Sequence, residues 1–537
     1  MSMTCGEATM RLLAQYGVTT VFGIPGVHTL DLCRGLTGGG NSGAIRHVQA
    51  RNEQGAGFMA EGWARATGEV GVAVVISGPG VTNAATALGQ CYADSLPMLL
   101  ISAEPASHTI GKGWGVLHEI TEQKKVTEPL TALSATAYRA SDVPELLAQA
   151  FSIFSSQRPR PVHISLPLDV QAEIVKGDWQ PVRLPERPEP AAGKLPTAAA
   201  MLKEATRPVI MIGGGAAEGT GGLAKAVERS GAVVISSTAG KGILPDDHPQ
   251  HLSGSTVRKE VRDYLATADV VLAVGTELAE TDSFVERMDI NGDLIRLDLD
   301  PHKINDFYPA TLGIIGDAAP SMDDLAAYLA DHDCRAVKAA SVAAVARIRA
   351  EIRENLTQSE AKHVKFLDIL RDAAPAETVF SGDACQLVYT GAFAFDLPKP
   401  RQWFYPAGYC ALGNALPNGI GAKLARPKTP VVVLAGDGGF MFTMPELMVA
   451  AELGVSLPII LWENGGLKQI QDDMDSRDIP RVGVEGINPD FVALAKACHC
   501  EAIQPDSEKA FRNAFASALK AERPTVIVIR EDAEWLG

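Results

Sequence analysis

Short apolar runs recur along this chain. Most are closed by glycine or proline and followed by a stretch with helical spacing. Residues 18–22 run into Gly23-Ile24-Pro25-Gly26, and residues 71–77 into Gly78-Pro79-Gly80. Residues 98–102 and 162–166 are two further runs. Continuous apolar segments of this length, separated by helices, predict parallel strands buried on both faces. The pattern stops in residues 176–200, where five prolines stand among charged residues, and this stretch reads as a linker. It resumes at 208–212, 232–236, 269–274 and 294–299, and again at 378–381, 431–434, 457–462 and 525–530. Between the second and third groups, residues 336–360 are rich in Ala, Arg and Glu and predict a connecting helix. The expectation is α/β, with three doubly wound parallel-sheet domains at 1–175, 195–335 and 360–537. The first and third look like distant copies in architecture. Ligands of such sheets sit at the carboxyl ends of strands.

Composition narrows the partners. A length of 537 residues fits about three domains. The net charge of −16 argues against nucleic acid, which needs clustered Lys and Arg. No apolar run reaches the roughly 20 residues of a membrane span. The opening MSMTCGEATM carries no basic-then-apolar signal, so a cytoplasmic protein is expected. The eight cysteines are scattered. Cys498-His499-Cys500 lacks the further ligands of a zinc site and reads as a reduced helix end.

Two motifs carry the chemistry. Gly436-Asp437-Gly438-Gly439 follows an apolar run, and Asn464-Gly465-Gly466 follows the next, Asn464 standing 27 positions after Asp437. An aspartate in a glycine turn, with an amide oxygen brought from the neighbouring strand, suits a hard cation bridging a diphosphate. Glycines at a helix start let backbone N–H groups approach phosphate. An ordinary Asp-Gly turn would explain the first motif alone, but not the pair at this spacing. Near the N-terminus, Arg51-Asn52-Glu53-Gln54-Gly55-Ala56 sets a lone carboxylate at the start of a small-residue helix.

Together these motifs resemble the thiamine diphosphate (ThDP) enzymes of the acetolactate synthase / 2-oxoacid decarboxylase type. The resemblance covers essentially the whole chain. It implies ThDP and Mg²⁺ as cofactors, with Asp437, Asn464 and the carbonyl of Gly466 as metal ligands. It implies that Glu53 bonds the pyrimidine N1′ and so makes the cofactor's amine basic. It makes Leu412, in Gly408-Tyr409-Cys410-Ala411-Leu412-Gly413, the wedge that bends the cofactor, and the carbonyl of Cys410 the acceptor for the amine. Pro25, Gly26, Pro79 and Asn83 would line the pyrimidine side. Gln386, Gly436, Gly438, Gly439 and Leu467 would line the diphosphate side. The cofactor would span two subunits, so a homodimer or homotetramer is implied. Two departures stand out: Asn52 where the family usually has His, and Glu463 where it usually has Asn.

The substrate is a small-molecule 2-oxoacid by the same resemblance. Where acetolactate synthases carry Phe-Gln-Glu, this chain has Leu117-His118-Glu119. A titratable His118 beside Glu119 suits protonation of the reacting carbon, and so release of an aldehyde. The arginine-rich FAD contacts of the synthases are not found, which speaks against FAD. The Gly23–Thr29 turn with His28, and the Leu-His-Glu loop, look most like the 5-guanidino-2-oxopentanoate (2-ketoarginine) decarboxylases. A guanidinium wants carboxylates, and Asp472 and Asp473 follow the metal asparagine, with Gln469 where a glutamate is expected. A synthase-like carboligase is the alternative. A catalytically silent homologue is argued against by intact Glu53, Asp437 and Asn464. A nicotinamide dehydrogenase is argued against by Glu218, which breaks dinucleotide spacing after Gly213-Gly214-Gly215; that triplet reads as a tight strand–helix turn.

Overall fold

The computed structural model describes residues 2–36 and 45–537. It contains three six-stranded sheets, all parallel within themselves. The N-terminal sheet runs, edge to edge, Arg46–Gln49, Thr20–Gly23, Gly71–Val75, Met98–Glu104, Val162–Pro167, Leu133–Thr136. The C-terminal sheet runs Trp403–Phe404, Val379–Gly382, Val431–Gly436, Pro458–Glu463, Thr525–Arg530, Glu501–Ile503. Numbered within each sheet, both orders are 2-1-3-4-6-5. The two domains are therefore copies in topology. The central sheet, from His251–Leu252 to Leu312–Ile315, has the order 3-2-1-4-5-6.

In each outer sheet the chain reverses direction between its first and third strands. A crevice opens there, because the two following loops part to opposite faces. In the N-terminal sheet these loops begin after Gly23 and Val75; in the C-terminal sheet they begin after Gly382 and Gly436. These are the turns in which the sequence places its motifs.

The linker ends earlier than its proline content implies. Residues 178–191 have no regular structure, but helix Lys194–Glu204 already packs Leu195, Ala198 and Leu202 into the central core. Helix Arg335–Glu354 then connects to the third domain. The outer domains of one chain share a core containing Phe58, Met59 and Leu88 with Leu416, Ile420 and Val433. Helices Glu53–Thr67 and Ala415–Ala425 meet there backbone to backbone. A Cβ on Gly62 would lie 2.1 Å from the carbonyl oxygen of Asn418. Among the described residues, no helix is long and apolar enough to cross a membrane.

Candidate active site

Strand Val431–Gly436 delivers Asp437 to the first position of helix Asp437–Thr443, fully buried. Its Oδ2 accepts from the backbone N–H of Gly465 at 2.8 Å and of Gly466 at 3.1 Å, and from Asn488 Nδ2 at 2.8 Å. Its Oδ1 accepts from Gly438 N–H at 2.9 Å. Gly465 and Gly466 reach it only because their φ values are 88° and 107°, where an L side chain is strained. Among the described residues no lysine or arginine pairs with Asp437. A buried carboxylate without a protein cation, beside a side-chain amide and turn carbonyls, is a hard-oxygen set that fits Mg²⁺ with a diphosphate. Close approach is also built in. A Cβ on Gly438 would lie 3.0 Å from Leu467 Cδ2, and one on Gly439 2.9 Å from Asp383 Oδ2.

The turn bearing Cys410 and half-buried Leu412 is pinned from both outer domains. Asp94 accepts from Gly408 N–H at 2.8 Å, and Gln90 Oε1 from Ala411 N–H at 3.0 Å. Asp383 accepts from Gly413 N–H at 3.0 Å; burial pushes its carboxyl up to about 6. Cys410 has φ 54° and is exposed.

Gln386 opens helix Gln386–Ala394. Its Nε2 donates to Asp472 at 2.9 Å and to Gln469 Oε1 at 3.4 Å. Asp472 also forms an ion pair with Lys468, one helical turn before it. Asp473 accepts from Gln469 Nε2 at 3.3 Å. The expected guanidinium pair is thus unequal, because Asp472 already faces a cation.

In the N-terminal domain, Asn52 caps helix Glu53–Thr67 by accepting from Gln54 N–H at 2.8 Å. That gives the Asn at this position a job in placing Glu53. Glu53 is 7% exposed and accepts from Asn83 Nδ2 at 2.9 Å. Glu446, from the C-terminal domain, accepts from the N–H groups of Arg51 and Asn52 at 3.0 to 3.2 Å. A Cβ on Gly55 would lie 2.2 Å from Glu446 Oε1. Burial pushes the Glu446 carboxyl up to about 7 against those two N–H groups.

Pro25 and Gly26 lead into the turn that buries His28. His28 Nδ1 and Ser77 Oγ are 2.6 Å apart. The rings of His28 and His118 meet edge to face, with centroids 5.0 Å apart. Burial and then His118 lower the His28 pKa. His118 Nδ1 is buried with no partner, and its backbone has φ 62°. Gly78 admits it: a Cβ there would lie 2.5 Å from the His118 carbonyl oxygen. Pro79 follows at the first position of helix Pro79–Ala93.

Glu119 takes a different place from the one expected. Its carboxylate accepts from Gly113, Gly115 and Val116 N–H at 2.6 to 3.2 Å, closing its own loop. Three backbone N–H groups of that loop thus hold the carboxylate in place.

No hydrogen bond or ion pair among the described residues joins Glu53, His28 or His118 to the Asp437 cradle. Large apolar side chains stand exposed near both halves: Val27, Trp114 and Leu117 on one, Tyr409, Phe442 and Ile487 on the other.

Asn488, Ser77, Glu446, Gln90 and Asp94 were not legible as site residues. Asn488 sits in a loop 51 positions from Asp437, and Glu446 acts across 394 or more. The Gly213–Gly215 triplet is the tight turn expected between strand Pro208–Ile212 and helix Thr220–Ser230. It packs against Gly275 at the end of the neighbouring strand, a Cβ on Gly213 lying 2.4 Å from the Gly275 carbonyl oxygen. Beside it lies a cavity of about 250 Å³ containing neither Glu53 nor Asp437, with Arg158 there bonded to both oxygens of Asp298.

Family models agree with this layout. The thiamine pyrophosphate enzyme N-terminal TPP-binding domain matches residues 3–126, the central domain 195–325, and the C-terminal TPP-binding domain 383–529. The chain is 50% identical to a probable 2-ketoarginine decarboxylase of Pseudomonas aeruginosa, over 94% of this chain and 90% of that protein. It is 30% identical to the large subunit of acetolactate synthase isozyme 3 of Escherichia coli, over 98% and 94%. It is 29% identical to an acetolactate synthase of Mycobacterium bovis, over 94% and 84%. With three domain models matched in order and a half-identical relative aligned along nearly its whole length, the chain belongs to the thiamine pyrophosphate enzymes.

Proposed function

We propose that this protein is a ThDP- and Mg²⁺-dependent decarboxylase that converts 5-guanidino-2-oxopentanoate to the aldehyde and CO₂. The observation that carries the reading is the pairing of two half-sites. One is a cation-free buried aspartate in a glycine cradle; the other is a buried Glu53 beside a histidine pair. The half-identical relative supports the substrate.

ThDP, when bound, supplies the nucleophilic carbon and the electron sink that decarboxylation needs. Asp437, Asn464 and the carbonyl of Gly466 would hold the cation. Gly436, Gly438 and Gly439 keep the diphosphate side open to backbone N–H groups, with Leu467 and Gln386 at its edge. Glu53, fixed by Asn83, holds a proton against the pyrimidine N1′. With ThDP bound, Leu412 would lie against its rings and the Cys410 carbonyl would be free to accept from its amine. Pro25, Gly26 and Pro79 shape the pyrimidine side. His118 would hold a proton for the reacting carbon, with His28, held by Ser77, beside it. A neutral His28, lowered by burial, can pass a proton on. Gln469 and Asp473, together with Asp472 once Lys468 releases it, receive the guanidinium. Two copies close the site, Glu53 from one meeting Asp437 from the other across the exposed apolar side chains.

The test is product analysis. With ThDP and Mg²⁺, 5-guanidino-2-oxopentanoate should give 4-guanidinobutanal, and pyruvate little acetolactate. Acetolactate from pyruvate, with no aldehyde from the guanidino acid, would overturn the decarboxylase reading in favour of a carboligase.

A further inference from the structure

Asn464 presents a problem of orientation. The two ends of a carboxamide have nearly the same shape, and only the oxygen can bind a cation. Nothing in the turn Asn464-Gly465-Gly466 selects that end, because Asp437 bonds the backbone of the two glycines and not the amide. The selection comes from outside the motif. Glu531 is the residue directly after strand Thr525–Arg530, and its N–H donates to the Glu463 carbonyl at 3.0 Å. That bond sets Glu531 beside the end of strand Pro458–Glu463. Its Oε2 accepts from Asn464 Nδ2 at 3.0 Å and from Trp462 Nε1 at 3.0 Å, and its Oε1 accepts from Ser359 Oγ at 2.9 Å. A glutamate ionised at neutral pH can only accept. The end of Asn464 that faces it must therefore be the NH₂. The other neighbour of that nitrogen, Gln386 Oε1 at 3.5 Å, is too distant to decide the matter.

We infer that Glu531 is a positioning residue of the cradle: it turns the Asn464 amide so that its oxygen is presented to the cation. The inference rests on the cradle reading above. It assigns a role to a residue 67 positions from Asn464, outside both motifs. The carboxylate touches neither cation nor substrate. It acts through a ligand, as partners in the outer shell of metal sites commonly do.

The experiment measures Mn²⁺ binding by electron paramagnetic resonance on the full chain at saturating ThDP, so that turnover plays no part. Glu531→Met keeps the volume and removes the acceptor. It should weaken Mn²⁺ binding about 10- to 100-fold. Glu531→Gln can turn its own oxygen to Trp462 and Asn464, and should bind within about threefold of the parent. Trp462→Phe removes the other donor on the same oxygen and leaves the Asn464 bond; it too should stay within about threefold. A Glu531→Met protein that binds Mn²⁺ like the parent overturns the inference. So does an equal loss in Trp462→Phe, which would mean general loosening. If Glu531→Met does not fold, Glu531→Gln decides: a loss beyond about tenfold there would mean that charge and not orientation matters. A parent protein that binds no Mn²⁺ with ThDP overturns the cradle reading itself; a parent that binds, with an indifferent Glu531→Met, sinks only the positioning role.

Discussion

Lys468 and Asp472 are one helical turn apart, and both are partly open to solvent. Such a pair contributes under about 1 kcal/mol. A guanidinium offers two parallel N–H donors where the ammonium offers a point charge, so it can take the carboxylate over. Lys468→Met should remove the competitor and lower KM for 5-guanidino-2-oxopentanoate by roughly three- to tenfold, with the pyruvate reaction unchanged. Steady-state kinetics on both acids checks this, and an unchanged KM for the guanidino acid would exclude Asp472 from the substrate site. Glu446 gives a second residue-scale outcome. Facing Arg51 and Glu53, its carboxyl is raised to about 7, chiefly by burial. A raised acid binds its proton more tightly folded than unfolded. Its stabilisation is therefore full below about pH 4.5 and is lost as pH rises through about 7. Glu446→Gln should remove that fall in stability between those pH values, on the order of 3 kcal/mol, and so flatten the profile of melting temperature against pH. Parallel pH profiles for parent and variant would refute the assignment. Why the motif residues were legible and these were not follows from distance along the chain. Asp437 and Asn464 announce themselves because each ends an apolar strand in a glycine turn. Ser77, Glu446, Asn488 and Glu531 have ordinary local surroundings and gain a role only from partners that folding brings to them.

At the scale of elements, interior strands are readable and edges are not. Pro208–Ile212 and Thr525–Arg530 are the apolar runs seen in the sequence, because both faces are covered. Arg46–Gln49, Leu133–Thr136 and Glu501–Ile503 carry polar residues along partly open edges, and no apolar run marks them. The same limit hides the device that holds the Cys410–Leu412 turn. Helix Pro79–Ala93 carries Gln90, which receives Ala411 N–H, and is followed by Asp94, which receives Gly408 N–H. Gln90 is fully buried, and its Nε2 also donates to Asp94 at 2.6 Å. A helix of one domain thus fixes the turn proposed to bend a cofactor held by another. Gln90→Met conserves volume and leaves the buried Ala411 N–H without a partner, while Asp94 keeps Arg65 and Gly408 N–H, destabilising the protein by about 1–3 kcal/mol. If the turn is also pre-formed for the cofactor, ThDP affinity should fall by about tenfold, because ordering would then occur on binding. Titration of intrinsic fluorescence with ThDP separates the two effects. A loss of stability with undiminished ThDP affinity would reduce the helix to scaffolding.

At the scale of the whole molecule, the repeated 2-1-3-4-6-5 order matters more than either domain alone. Each outer sheet opens a crevice at the same topological point, and in the proposed function the two crevices carry complementary halves of one chemistry. Within a chain the domains meet through Gly62, Gly421 and the helices around them, and through Glu446 on the Arg51 and Asn52 N–H groups, while the Glu53 carboxylate bonds Asn83 of its own domain. Closing the halves on each other by a two-fold axis forms two sites at once, because such an interface is self-complementary. Mixed chains make this countable. A Glu53→Gln chain alone and an Asp437→Ala chain alone should each be inactive. Unfolded together and refolded as equals, half of the dimers are mixed, and each mixed dimer holds one intact site and one doubly damaged site. Activity should return to about one quarter of the parent value per site. If each chain instead closed its own Glu53 onto its own Asp437, every site would keep one lesion and the mixture would stay inactive.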